Sequence, residues 1–197
     1  MRVLVVEDEP SLSQQLAGAL AHAGYAMVLA GRRQDVLAAA AAGLGERADW
    51  IACDVGSEES VETAVATVVR RHGGLDLAVN SAGLGAAGTV TAMAPAEFVQ
   101  VLDTNLHGVF RSLRAETRAM RATGKGGSIV NVSSIAAELT HPWMSAYCVS
   151  KAGVNMLTRC AADELGAHGI RVNAVMPGLV DTELAALLVQ SDEATRE

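Results

Sequence analysis

The hydrophobic residues of this chain form short continuous runs that alternate with longer stretches of helical periodicity. Short runs rich in valine, leucine, isoleucine and alanine are typical of buried β-strands. In the stretches between them, apolar residues return every three or four positions, as they do on one face of a helix. The pattern predicts strands at residues 1–6, 25–30, 50–53, 75–79, 128–132 and 170–175.

The predicted helices fill the intervals between these strands and decide the fold class. They lie at residues 12–23, from about 34, around 61–69, and at 95–120, 145–165 and 181–189. Strict alternation of strand and helix implies a parallel sheet with helices on both faces. Right-handed connections then produce a doubly wound α/β sheet. Since no linker or repeat divides the sequence, we expect residues 1–197 to form a single domain.

The composition excludes several classes of protein. Half of the 197 residues are hydrophobic and 19% are charged, which excludes an extended disordered chain. A net charge of -7 and only 3% aromatic residues argue against a nucleic-acid-binding surface. No apolar run approaches ~18 residues, so we expect no membrane span or membrane partner. The three cysteines and five scattered histidines predict neither a disulfide framework nor a metal site, and they fit a cytoplasmic protein.

The clearest chemistry lies near the carboxyl ends of the predicted strands, where doubly wound sheets bind their ligands. Tyr147 and Lys151 are four residues apart in a predicted helix, so they share one face. An ammonium beside a phenol lowers the pKa of the phenol, which makes Tyr147 a candidate general acid and base. Ser134 follows the fifth strand, where it can hydrogen-bond a substrate oxygen, and Asn105 lies in the preceding helix. Each of these residues also has an ordinary structural explanation. Tyr147 and Lys151 could be an exposed helix pair, Ser134 a helix cap and Asn105 a packing residue. Only their occurrence together favours catalysis.

Further motifs accompany these residues in a fixed order. Asn105 stands in an Asn-x-x-Gly-x-Phe context, and Tyr147 comes 13 residues after Ser134. The other matching segments are Asn80-Ser81-Ala82-Gly83 after the fourth strand, and Pro177-Gly178 with Thr182 after the sixth. Over about residues 28–192, this set resembles the short-chain dehydrogenase/reductase family, whose members have a Rossmann-like fold.

The resemblance implies an NAD(P)-dependent oxidoreductase that transfers a hydride between a nicotinamide cofactor and a ketone or secondary alcohol. Tyr147 would exchange the hydroxyl proton, and Lys151 would lower its pKa and hold the nicotinamide ribose. Ser134 would position the substrate oxygen, and Asn105 would hold a water that links Lys151 to solvent. The cofactor contacts that the resemblance implies are Asn80, Ala82, Gly83, Tyr147, Lys151, Pro177, Gly178 and Thr182. The family also suggests a homo-oligomer, a dimer or a tetramer, paired through the long helices.

Two further positions bear on the adenine half of the cofactor. Asp54-Val55, after the third strand, matches the family's adenine-contacting pair, although a helix cap has the same appearance in a sequence. Arg32 and Arg33 follow the second strand, where arginines suit the 2′-phosphate of NADP and an acid suits the ribose of NAD. We therefore expect NADP, with NAD as the alternative cofactor and a solvated basic turn as the alternative interpretation.

The segment after the first strand departs from the family pattern. Residues 6–13, Val-Glu-Asp-Glu-Pro-Ser-Leu-Ser, occupy the positions of the family's glycine-rich phosphate loop and contain no glycine. Glycines there allow a tight turn and a close approach of the pyrophosphate. Glu7, Asp8 and Glu9 also bring negative charge to a helix end that attracts anions. We expect weaker cofactor binding, and a non-catalytic Rossmann domain is therefore an alternative function.

Residues 1–27 instead resemble the start of a response-regulator receiver domain, in which an acidic pair binds Mg²⁺ beside a phosphoacceptor aspartate. A receiver-like chain would use Glu7, Asp8 and Asp54 in these roles. Strand order separates the two hypotheses, because a receiver places strands one and three side by side, whereas a Rossmann sheet has strand two between them. The pattern also predicts no counterpart of the family's seventh strand, so we expect about six strands.

Overall fold

Parallel strands form one six-stranded sheet in the part of the chain that the computed structural model describes, residues 2–6 and 17–179. The strands are β1 (Arg2–Val6), β2 (Ala26–Gly31), β3 (Ala48–Ala52), β4 (Leu77–Asn80), β5 (Gly127–Val132) and β6 (Ile170–Val175). Their order across the sheet is β3-β2-β1-β4-β5-β6, and every neighbouring pair is parallel. The predicted doubly wound, Rossmann-like α/β fold is therefore confirmed.

Helices occupy the intervals between these strands. They are α1 (17–22), α2 (Gln34–Leu44), α3 (Glu58–His72), α4 (Pro95–Leu102), α5 (Gly108–Thr123) and α6 (Ser145–Leu165). α6 and β6 have the predicted bounds, and the ends of the other strands lie within about two residues of the prediction. The helix predicted at 181–189 and the start of the first helix lie outside the described residues. Within the described ranges, none of the helices is long and apolar enough to cross a membrane.

The alternation of side chains along each strand divides the core between the two faces of the sheet. Leu4 and Val6 of β1 pack in a cluster with residues of α3, α5 and α6. Val3 and Val5 point the other way and pack with residues of α1 and α2. Because all the strands are parallel, their carboxyl ends lie along a single edge of the sheet, and this edge carries the predicted site residues.

The strand order contradicts the receiver-like hypothesis. β2 pairs with β1 on one side and with β3 on the other, so β1 and β3 are not neighbours. Two inter-strand spacings, about 9 to 10 Å, therefore separate the end of β1 from Asp54, which follows β3. The sheet therefore has the Rossmann order and not the receiver order, and the receiver-like alternative was wrong for the fold. Glu7, Asp8 and Glu9 themselves lie outside the described residues.

The single helix predicted over residues 95–120 is interrupted in the structure. α4 passes through a π-turn, Asp103–His107, into α5, and the Gly108 amide donates to the Asp103 carbonyl five residues before it. A π-turn inserts one extra residue into a helix and often occurs next to a functional site. This one carries Asn105, so the interruption sets where that side chain points.

Candidate active site

The loop after β4 is fixed against the end of β1. The backbone amides of Ser81 and Ala82 both donate to the Val6 carbonyl, each at 2.9 Å. These bonds extend the contact between β1 and β4 and hold Ala82 and Gly83 at the carboxyl edge of the sheet. The segment is therefore a rigid wall of the candidate site.

Tyr147 and Lys151 lie on the face of α6 that packs against the sheet, and both are largely buried. Lys151 Nζ donates to the Val132 carbonyl at 2.8 Å and lies 5.6 Å from the centroid of the Tyr147 ring. Ser134 is the polar side chain beside the Tyr147 phenol that favours its ionised form. Ser134 also accepts a bond from the Ala136 amide at 3.1 Å, which fixes its rotamer. The structure thus brings together the three predicted residues Ser134, Tyr147 and Lys151.

The ionisation of Tyr147 differs from the expectation. Burial raises the pKa of the phenol above its ordinary value, the Ser134 hydrogen bond lowers it, and the neighbouring Cys148 raises it further. The prediction that Lys151 brings the phenol pKa toward neutrality was wrong for this arrangement, because the desolvation of the phenolate outweighs the favourable contacts. Tyr147 is accordingly protonated at neutral pH, as a proton donor must be.

Asn105 braces two elements of the site. Its side chain is fully buried, and it exchanges hydrogen bonds of 2.8 Å with the backbone N–H and C=O of Leu84. Its amide also donates to Ser150 Oγ at 3.1 Å, and Ser150 donates in turn to the Tyr147 carbonyl at 2.7 Å. Asn105 therefore ties the loop after β4 to the helix that carries Tyr147. The water that the resemblance assigns to Asn105 stays a prediction.

Gly83 lies directly against the side chains of Asn105 and Lys151. A Cβ at this position would lie 3.3 Å from Asn105 Oδ1 and 3.7 Å from Lys151 Nζ. The first distance is shorter than ordinary packing allows, so a side chain here would crowd Asn105 and cover the ammonium. Glycine at this position is what lets the loop backbone lie so close to the Asn105 amide and the Lys151 ammonium.

Asn80 is the last residue of β4, and its side chain lies in the core. Its side chain is buried beneath the sheet edge, and its amide donates to Glu116 Oε2 at 3.0 Å and to Asn131 Oδ1 at 3.1 Å. The Asn131 amide donates in turn to Thr158 Oγ1 at 2.9 Å. This side chain links β4 to β5 and α5, because a buried amide requires hydrogen-bond partners. The cofactor contact of Asn80 stays a prediction.

The adenine half of the predicted site lies at the ends of β2 and β3. Arg32 and Arg33 are exposed directly after β2, and Asp54 is exposed after β3, with Oδ1 accepting from the Gly56 amide at 2.9 Å. The N-cap of α3 is Ser57, whose hydroxyl accepts from the Ser60 amide at 3.2 Å. Asp54 is therefore not the cap, and the helix-cap alternative for this position was wrong. Val55 is buried.

The ends of β5 and β6 place Pro177 beside the catalytic candidates. The Ser133 amide donates to the Val175 carbonyl at 2.8 Å, and the Ile135 amide donates to the Pro177 carbonyl at 3.0 Å. Pro177 and Gly178 thus lie next to the backbone of Ser134. Thr182, the last predicted cofactor contact, lies outside the described residues.

Sequence reasoning missed two hydroxyls that support this site. Ser133 Oγ donates to the Lys151 carbonyl at 3.0 Å, and Ser150 joins Asn105 to α6 as described above. In the sequence, Ser133 directly precedes Ser134 and Ser150 directly precedes Lys151. This adjacency to predicted residues was the signal that could have identified them. Within residues 2–6 and 17–179, no group of three or more histidine, cysteine or acidic side chains is arranged to hold a metal ion.

Sequence comparisons agree with this geometry. A family profile described as short chain dehydrogenase matches residues 2–193. An A-factor type gamma-butyrolactone 1'-reductase (1S-forming) from Streptomyces virginiae is 42% identical over 173 residues, which cover 86% of this chain and 67% of the relative. Four further curated relatives are matched over 53% to 74% of their own length, so the match spans little more than half of one of them.

Comparisons with solved structures show the same relationship. An actinorhodin polyketide ketoreductase with NADPH has a TM-score of 0.91 and 32% identity, and the match covers 100% of this chain and 77% of that one. An NAD+-bound xylitol dehydrogenase has a TM-score of 0.84 and 36% identity, over 90% of this chain and 70% of that one. On the sequence match, the strand order and the shared fold, this chain belongs to the short-chain dehydrogenase family of oxidoreductases.

Proposed function

We propose that the chain reduces a ketone, or oxidises the corresponding secondary alcohol, with a nicotinamide cofactor as the hydride carrier. The observation that carries this proposal is that Ser134 and Lys151 flank Tyr147: Ser134 is the polar neighbour that favours ionisation of the phenol, and Lys151 Nζ lies 5.6 Å from the ring centroid. A carbonyl oxygen bound between the Ser134 and Tyr147 hydroxyls would accept a hydrogen bond from each of them. Such a pair positions the oxygen and protonates it as the carbonyl carbon is reduced.

The roles of the individual residues follow from their contacts. Tyr147 gives its phenolic proton to the substrate oxygen during reduction and takes it back during oxidation. Ser134 donates a hydrogen bond to that oxygen and holds it in reach of the phenol. Lys151 favours the phenolate that remains after the transfer, because an ammonium lowers the energy of a nearby negative charge. Asn105 and Ser150 keep α6 in register with the loop after β4.

The residues at the carboxyl edge fit a nicotinamide cofactor. Gly83 leaves room beside Lys151 that a side chain would fill, and the ammonium there is a suitable donor for ribose hydroxyls. Pro177 and Gly178 would border the nicotinamide, Ala82 and Gly83 the centre, and Asp54 and Val55 the adenine. When bound, the cofactor supplies or accepts the hydride. Thr182 stays a predicted contact.

NADP is the proposed cofactor. Arg32 and Arg33 are exposed after β2, and guanidinium groups bind phosphates through paired hydrogen bonds. The solved relatives include both an NADPH complex and an NAD+ complex, so NAD is the alternative. Titration of the protein with NADPH and NADH, followed by cofactor fluorescence, compares the two affinities directly.

The decisive experiment monitors NADPH absorbance with a panel of linear and cyclic ketones. We expect turnover by the unmodified protein and a loss of about 10²- to 10⁴-fold in Tyr147→Phe, since the phenol is the proton donor. Tyr25→Phe, the same substitution at the other tyrosine of the sequence, is the matched control and should keep its activity. Undiminished turnover in Tyr147→Phe would exclude the assigned acid and base.

A second candidate function is that of a non-catalytic Rossmann domain with impaired cofactor binding. The glycine-free segment 6–13 and its three consecutive acidic residues favour it, because carboxylates repel a pyrophosphate. Calorimetric titration separates the candidates. Binding of NADPH or NADH at micromolar concentration excludes the non-catalytic domain, whereas no binding at millimolar concentration supports it.

Association of the chain into a dimer or tetramer is also a proposal. Val99, Phe110, Val149 and Met156 are large apolar side chains of α4, α5 and α6 that are each about half exposed or more. Apolar side chains on neighbouring outer helices favour pairing with a second copy. Sedimentation of the protein and of Phe110→Glu tests it. The cytoplasmic location stays a prediction.

A further inference from the structure

The loop that follows β3 is held in place by the helix that carries the π-turn. This adenine-side loop, residues 54–56, includes both predicted adenine contacts. Arg111, in the first turn of α5, donates from Nη1 to the Val55 carbonyl at 3.0 Å and from Nη2 to Asp103 Oδ1 at 2.7 Å. A single guanidinium thus joins the loop to the first residue of the π-turn.

Close packing reinforces this junction. A Cβ on Gly108 would lie 2.9 Å from Val55 Cγ2 and 3.5 Å from the Val55 carbonyl oxygen, so glycine is required where the loop meets α5. A Cβ on Gly56 would lie 3.8 Å from Asp103 Oδ2. The loop therefore packs against the first residue of α5, and the Arg111 side chain joins its backbone to the π-turn.

We propose that Arg111 is a positioning residue for the cofactor, which fixes the backbone of the adenine-side loop in the conformation that binds the adenosine. The inference rests on the proposed function, because it concerns the same cofactor. Arg111 does not itself reach the adenine in this scheme: it acts through Val55. Asp103 orients the guanidinium, and the Arg111 contact in turn holds the pKa of Asp103 below its ordinary value.

The guanidinium is suited to this task in a way that lysine is not. Its planar fork donates to the carbonyl and to the carboxylate at the same time, with little loss of conformational freedom. The side chain is 21% exposed, so solvent competes weakly for its donors. An ammonium on a lysine stem would reach one acceptor at a time and leave the loop able to move.

The neighbouring arginine on α5 supplies a matched control. Arg114 lies about one helical turn after Arg111 and pairs with Glu58 on α3. Arg114 is therefore an arginine of the same helix whose ion pair also joins α5 to the start of α3. Unlike Arg111, it makes no contact with Val55. The variants to compare are Arg111→Met and Arg114→Met, in which the apolar stem is kept and the charge is removed.

The experiment measures dissociation constants for NADPH and for adenosine 2′,5′-bisphosphate, which has the adenine and the 2′-phosphate without the nicotinamide. We expect Arg111→Met to weaken both ligands by the same factor, roughly tenfold, since one charge-assisted hydrogen bond to the loop is lost. The KM for NADPH should rise by the same factor, whereas kcat at saturating cofactor stays within about twofold. Arg114→Met should bind both ligands as the unmodified protein does.

Unchanged affinities in Arg111→Met would overturn the inference while the proposed function stands. An equal loss of affinity in Arg114→Met would do the same. A larger loss for NADPH than for the bisphosphate would also overturn it, because the effect would then lie at the nicotinamide. Failure of the unmodified protein to bind NADPH or NADH would instead refute the proposed function. If Arg111→Met does not fold, Arg111→Lys gives the same comparison, with faster hydrogen exchange of the Gly56 amide as the expected sign of a loosened loop.

Discussion

The side-chain amide of Asn80 donates a hydrogen bond to the Glu116 carboxyl at 3.0 Å, in a part of the core that solvent barely reaches. Burial raises the pKa of Glu116 to about 7, and the bond from Asn80 acts against this rise. Glu116 Oε1 and Asn80 Oδ1 have no further hydrogen-bond partner in the part of the chain that is described. The pair connects α5 to the end of β4, where the wall of the candidate site begins.

Glu116 should make the stability of the fold depend on pH near neutrality. The folded state keeps a proton on this carboxyl up to about pH 7, whereas the unfolded chain loses it near the ordinary pKa of 4.5. The folded state therefore binds more protons, and the free energy of unfolding falls by about 3 kcal/mol as the pH rises from below 4.5 through 7. Urea unfolding between pH 5 and 8 measures this fall. Glu116→Gln should flatten it, and an equal slope in both proteins would refute the assignment.

Tyr147 should give opposite pH profiles for the two directions of the proposed reaction. Because burial raises the pKa of the phenol, the proton donor persists through neutral pH, so ketone reduction stays level there and falls only in the alkaline range. Alcohol oxidation needs the phenolate and should rise with pH over the same range. Initial rates with NADPH and with NADP+, at saturating substrate, provide both profiles. A reduction rate that already falls between pH 6 and 8 would contradict the raised pKa.

The strands, the helices and the central residues of the site could be predicted because their signals are local. Apolar runs and helical periodicity placed β6 and α6 at their observed bounds, and spacing alone put Tyr147 and Lys151 on one face. Glu116 was missed for the opposite reason. A glutamate on an amphipathic helix is normally exposed, and its burial depends on Asn80, a residue far away in the sequence.

The π-turn and the Arg111 contacts also depend on tertiary structure. Hydrophobic periodicity continues through Asp103–His107, so nothing in the spacing indicates an extra residue in the turn. Gly108 was noted as part of a motif, but its physical reason, the close approach of Val55, is visible only in three dimensions. The direction of the Tyr147 pKa shift was missed because sequence spacing shows the lysine and not the desolvation.

Ser150 should affect catalysis through the orientation of α6. Ser150→Ala removes the acceptor of the Asn105 amide and the donor to the Tyr147 carbonyl, both in a fully buried position. We expect a loss of about 1 to 3 kcal/mol in stability and, in the folded protein, a several-fold lower kcat with a smaller change in the KM for the ketone. Urea unfolding and steady-state kinetics measure the two effects. Ser145→Ala, in the first turn of the same helix, is the control. A normal kcat in Ser150→Ala would show that Ser150 contributes to stability and not to catalysis.

Gly83 should be a position where one added methyl group harms the site more than the fold. The backbone of Gly83 is not in the left-handed region, so alanine introduces no conformational strain. Its Cβ would nevertheless lie 3.3 Å from Asn105 Oδ1 and in contact with the Lys151 ammonium, which forces Asn105 to shift and narrows the approach to Lys151. We expect kcat/KM for NADPH to fall roughly tenfold, the equivalent of about 1.4 kcal/mol, with an unchanged unfolding midpoint.

The same substitution at a second glycine should raise the stability and leave the site unaffected. Gly43 lies within α2, and a Cβ there would meet no other atom within 4 Å. Gly43→Ala should therefore raise the stability by up to about 1 kcal/mol through helix propensity and leave kcat/KM unchanged. Thermal unfolding and NADPH kinetics on the two variants separate crowding of the site from a general effect of glycine removal. If Gly83→Ala keeps full kcat/KM, the cofactor does not bind against the backbone of Gly83.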